Sequence, residues 1–149
     1  MLVAHSHRMT YKLDMQNLLR RAAPGFIAGA IAVLTFQQGA WALLHVLHRM
    51  PPAYPMGAVP PLGVPYVFDL AFWGGMWGAA FGLVVRRPDW RTGLVVGALW
   101  VAADFFVLAP LEGGSARAGL SPAAWLLPLA LYLPWGAGLG LILAGISRR

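Results

Sequence analysis

At 149 residues, 59% of them hydrophobic and only 11% charged, the chain is too apolar for an ordinary soluble domain, in which charged residues make up about a quarter. Its net charge of +6 sits in short basic clusters at the ends of apolar runs, a placement that suits membrane orientation and anionic headgroups and argues against a nucleic-acid partner. With no cysteine, thiol redox chemistry, disulfides, iron–sulfur ligation and thiolate zinc sites are all excluded.

Met1 to Arg21 is polar and basic, yet Tyr11, Met15, Leu18 and Ala22 recur at helical spacing, which reads as a cytoplasmic tail or a short surface helix. His5 and His7 alternate as metal ligands can but have no further ligands near them, so no metal site is expected. The first apolar run, Pro24 to Leu47, opens on a proline where a helix tolerates one best and carries Gly25 and Gly29 at four-residue spacing. Ala40-Trp41-Ala42 resembles a signal-peptide cleavage site, but the apolar run continues past it, so an uncleaved span is expected. Arg49 to Pro65 holds six prolines and reads as a stiff outer loop, because proline lacks an N–H and pushes its predecessor toward extended geometry.

Tyr66 to Val85 is the second span. Gly74, Gly78 and Gly82 make one ridge of small residues, and Ala71, Gly75 and Ala79 make the ridge beside it, so a neighbouring backbone can approach closely. A turn with Arg86, Arg87 and Arg91 leads to the third span, Thr92 to Ala109, which carries Gly93 and Gly97. Pro110 to Ser121 forms a second outer loop, and Ser121-Pro122 supplies an N-cap and first-turn proline for the fourth span, Pro122 to Ile146. That span contains Gly136 and Gly140, with Pro128 and Pro134 predicting a kink or an opened turn.

The predicted fold is therefore an all-α integral membrane domain of four transmembrane helices in two hairpins with glycine-rich close packing. Nine of the eleven basic residues fall on one side, which predicts a bacterial inner-membrane protein with both termini cytoplasmic. A faint internal repeat supports two hairpins: Trp73, Gly74, Gly78, Arg86 and Arg87 match Trp135, Gly136, Gly140, Arg148 and Arg149 at an offset of 62, and Gly25, Gly29 and Ala30 match Gly93, Gly97 and Ala98 at 68.

Polar groups inside a span are expensive, so each needs a reason. Gln38, Trp41, His45 and His48 share one face of the first span with Gln37 to one side, and Asp104 lies on the stripe of Gly93, Gly97 and Trp100. Gln37, Gln38, His45 and Asp104 are thus the candidate intramembrane cluster, either a polar path or an interhelical hydrogen-bond set. Asp69, in the first turns of the second span, suits a helix N-terminus at headgroup depth. His45 and His48 share one helix, whereas axial haem ligands come from opposite faces, so no cofactor is expected from this chain alone. No catalytic motif is visible, and no catalytic residue is assigned.

The run from Gly25 through Gly82, with its FQQGAWALLH, VPPLGVP and LAFWGGMWG segments, resembles a family of small, uncharacterised proteobacterial inner-membrane proteins. The resemblance implies a compact four-helix membrane protein and brings no activity, ligand or site residue. The functional expectation is a non-catalytic protein that works by packing, as an accessory subunit of a larger membrane complex or as a homo-oligomer, with lipid and other membrane subunits as partners. The alternative is a small transporter or channel along Gln37, Gln38, His45 and Asp104.

Overall fold

The computed structural model describes the backbone of residues 2–111 and 121–147 and the side chains from residue 15, so His5, His7, Glu112, Arg117, Arg148 and Arg149 lie outside the described side chains. Among the described residues four helices are long and apolar enough to cross a membrane: Met15–Val46, Tyr66–Val84, Trp90–Leu111 and Pro122–Ser147. In chain order the elements are α1 (Leu2–Ala32), a π-helical turn (Val33–Gln37), α2 (Gln38–Val46), strands β1 (Ala58–Val59) and β2 (Val64–Pro65), α3 (Tyr66–Val84), α4 (Trp90–Ala103), a second π-helical turn (Asp104–Leu108), α5 (Ala109–Leu111) and α6 (Pro122–Ser147).

Pro24 does not open the first span. It lies inside α1, which runs through it from the N-terminal segment. Its missing N–H leaves the Arg20 carbonyl without an α-helical donor, a cost that falls near the polar end of the span rather than in its apolar middle. The fourth span likewise runs unbroken through Pro128 and Pro134. The widened turns lie in the first and third spans, the second of them ending two residues before Pro110, whose missing N–H leaves the Phe106 carbonyl without an α-helical donor.

Packing follows the small residues. α1 lies against α3, α4 lies against α6, and α1 also meets α6. In the first pair, a Cβ on Gly82, Gly78 or Gly74 would strike the carbonyl of Arg21, the carbonyl of Gly25, or the Val33 side chain, and one on Gly29 would strike the Gly74 carbonyl. In the second pair, a Cβ on Gly140 or Gly136 would strike the carbonyls of Asp89 and Gly93, and one on Gly97 the carbonyl of Tyr132. Gly75 meets the Phe26 ring instead of backbone.

These two ladders correct the register of the internal repeat. Gly82 and Gly78 in the first pair occupy the places of Gly140 and Gly136 in the second, an offset of 58, one helical turn from the 62 read in the sequence. At 58 the segment Trp77-Gly78-Ala79 falls on Trp135-Gly136-Ala137, so Trp135 corresponds to Trp77 and not to Trp73.

The core lies between α1, α3 and α6, where Ala28, Ala32, Val33, Ala71, Phe81, Trp135, Leu139 and Leu143 are buried. α4 starts on a reciprocal cap: Asp89 Oδ1 accepts the Thr92 N–H at 2.7 Å, and Thr92 Oγ1 accepts the Asp89 N–H at 3.0 Å. The backbone N–H of Thr92, with help from its hydroxyl, holds the exposed Asp89 carboxyl below the usual carboxylate range. A carboxyl lowered on folding stabilises above its unfolded pKa and loses that contribution as pH falls through its folded value. We expect Asp89→Ala to melt below the parent protein at neutral pH and the gap to close on acidification, in matched detergent. A gap that persists in acid would assign the effect to something other than this ionised cap.

Candidate functional site

The π-helical turn Val33–Gln37 organises the loop end of the molecule. Its extra residue lets the Gln38 N–H reach the Val33 carbonyl, five residues back. Thr35 Oγ1 donates to the Ile31 carbonyl at 2.7 Å, and the Leu34 carbonyl accepts from the Tyr54 hydroxyl at 2.9 Å. Tyr54 also donates its backbone N–H to Gln38 Oε1 at 2.7 Å. Tyr54 has a left-handed backbone (φ 56°), uncommon for a non-glycine residue and held here by a hydrogen bond from each end of the residue.

Two further side chains of the same helix face continue this docking. Trp41 Nε1 donates to the Pro51 carbonyl at 3.0 Å, and His45 Nδ1 lies 2.9 Å from the Met50 carbonyl. A carbonyl only accepts, so that bond places a hydrogen on Nδ1. The row Gln38, Trp41 and His45 therefore fastens the proline-rich loop along α2. The loop in turn completes α3, whose first N–H groups, on Tyr66 and Val67, donate to the Gly57 and Pro55 carbonyls in place of a side-chain cap.

Gln37 faces elsewhere, because adjacent residues on a helix point about 100° apart. It is 3% exposed and lines a cavity of about 50 Å³ walled by Trp73, Trp77, Trp100, Tyr132 and Trp135. Its Oε1 is buried without a partner among the described protein atoms, as is Gln38 Nε2. Trp77 and Trp100 lie on one side with ring centroids 4.6 Å apart, the Trp100 and Tyr132 ring centroids are 6.1 Å apart, and Trp135 Nε1 donates to the Gly29 carbonyl at 3.2 Å. Four tryptophans, one tyrosine and the Gln37 amide thus line it, and the volume suits one or a few waters at about 10–15 Å³ each.

Asp104 heads the second π-helical turn, half-buried, within electrostatic reach of Tyr66 and Tyr132. Asp69 lines the cavity of about 580 Å³ beneath the loop with Pro60, Pro61 and Phe72. The four residues grouped from the sequence therefore occupy three settings: Gln38 and His45 on the loop, Gln37 in the aromatic cavity, and Asp104 beside the two tyrosines. Tyr54 and the aromatic wall were not singled out as a site. The i, i+4 spacing of Trp73 and Trp77 and the i, i+3 spacing of Tyr132 and Trp135 were the available signals.

Among the described residues no group of three or more His, Asp or Glu side chains is placed to hold a metal ion. Compared with family models, curated proteins and solved structures, the chain matches none.

Proposed function

We propose that the chain is a non-catalytic protein of the bacterial inner membrane, built as two glycine-packed helical hairpins with both termini cytoplasmic, that acts by presenting its third span to another membrane subunit or to a second copy of itself. The observation that carries this reading is unequal coverage. Within the hydrophobic window of the span Trp90–Leu111 only 11% of residues are buried, against 39% in each of the other three. The glycine ridges are occupied inside the chain, so they leave no close-approach surface for a partner, whereas Val95, Leu99 and Val107 on the third span stand exposed. A polar path would rest on Gln37 and Asp104 alone, since Gln38 and His45 are engaged by the loop, and this also favours packing.

The absence of native cysteine makes the test clean. Val95→Cys should cross-link in native membranes to a copy or to a co-purifying subunit, and the parent protein in mild detergent should exceed the 16.0 kDa of one chain after correction for bound detergent and lipid. A strictly monomeric protein with no Val95→Cys adduct would overturn the proposal.

A further inference from the structure

At the arginine-rich end, opposite the loop, Arg20 and Arg21 of α1 and Arg86 after α3 line a pocket of about 110 Å³ together with Pro24, Gly82, Leu143 and Ser147. Among the described residues no carboxylate lines it, and none of the three guanidiniums has an ion-pair or hydrogen-bond partner. Val85 belongs both to this pocket and to a second cavity of about 320 Å³ between α3 and α4. The second cavity is lined only by apolar and aromatic side chains, among them Phe81, Val84, Val96 and Leu99. A cluster of guanidiniums with no acidic neighbour among the described residues thus shares one wall residue, Val85, with an apolar cleft in the membrane-spanning part of the fold.

We infer that this composite site binds an anionic phospholipid, its phosphate among Arg20, Arg21 and Arg86 and one acyl chain in the cleft between α3 and α4. Guanidinium forks match phosphate oxygens bidentately, and basic pockets between spans at a membrane face recognise anionic headgroups. Three positive charges around one phosphate favour a lipid of net negative charge over a zwitterionic one, whose ammonium the arginines would repel. The apolar cleft distinguishes a lipid from a free anion, since inorganic phosphate has nothing to place there.

The test is native mass spectrometry of the full chain in detergent doped with phosphatidylglycerol or phosphatidylcholine. The parent protein should retain phosphatidylglycerol preferentially. Arg21→Gln with Arg86→Gln should weaken that retention by about fivefold per arginine, the scale of one basic residue at a charged membrane surface. Arg87→Gln with Arg91→Gln removes the same charge from the same end outside the pocket and should leave retention nearly intact; equal losses in the two doubles would reduce the effect to diffuse surface charge and overturn the site. Displacement of the lipid by millimolar-range inorganic phosphate would reassign the arginines to a free anion. Ala80→Trp, which fills the cleft and leaves the arginines in place, should abolish the preference for long-chain over short-chain phosphatidylglycerol. An unchanged chain-length preference would overturn the placement of the acyl chain.

Discussion

Gly78→Leu is expected to separate the first helix pair, lowering stability by about 3 kcal/mol or more in detergent unfolding, at or above the upper end of ordinary overpacking. A Cβ on Gly78 would meet the Gly25 carbonyl, with the Gly29 Cα at 2.9 Å and its nitrogen at 3.0 Å. All three are backbone atoms, so no rotamer change relieves the contact and the helices must move apart along their length. In a bilayer that loss is not offset by hydrophobic association, because lipid tails are as apolar as the side chains and packing itself supplies much of the attraction. Gly39→Leu and Gly145→Leu are the matched controls, since a Cβ at either meets nothing within 4 Å, and each should stay within about 0.5 kcal/mol of the parent. Asp69→Asn should likewise change little. Similar midpoints for Gly78→Leu and the two controls would mean that the close approach of α1 and α3 does not hold the fold together.

The four spans are legible in the sequence because their signal is length and apolarity, which local composition carries. The four-residue spacing of small residues is legible too, but not which helix each ridge meets. A ridge looks the same whether it faces its own chain or another, and here the ridges are taken up by α1 on α3 and α4 on α6. The repeat shows the same limit. The offset of 62 was favoured by the arginine pairs at the ends of the second and fourth spans, residues whose positions follow membrane orientation, whereas the carbonyl contacts of the glycines select 58.

The polar residues were harder to read for a different reason. Helical spacing placed Gln38, Trp41 and His45 on one face, and on one face they are. What spacing cannot supply is the partner, and three backbone groups of the loop, on Tyr54, Pro51 and Met50, take the places assigned to one another or to a substrate. Pro24 misled in the same way. Its ring forbids one hydrogen bond but does not forbid the helix, and the helix-forming residues before it, with the tertiary contacts after it, outweigh that single missing donor. The π-helical turns leave little compositional mark: the polar residues at their edges, Gln37 and Asp104, and Pro110 just after the second.

The joint between the two helix pairs rests most heavily on Trp135, and its truncation is the second change expected to have a large effect. Trp135 is 2% exposed, sits in the core beside Leu139, and sends its indole N–H across from α6 to the Gly29 carbonyl on α1 at 3.2 Å. Its Nε1 also lies 3.2 Å from where a Cβ on Gly74 would stand, so it touches both helices of the first pair. Aromatic-to-alanine changes in water-soluble cores cost about 3–5 kcal/mol, and the share due to transfer from water shrinks in a bilayer, which leaves about 2–3 kcal/mol for Trp135→Ala. Trp135→Phe keeps most of the volume and removes the donor, so it should fall between the parent and the alanine variant. Trp73→Ala, at a half-exposed ring on the same cavity, should cost less than either. The ordering separates two accounts of the repeat. If Trp73 and Trp135 were equivalent residues of duplicated hairpins, their truncations would cost alike; if the one-turn shift is correct, Trp135 holds the pairs together while Trp73 borders the loop cavity, and their midpoints in detergent unfolding will differ clearly.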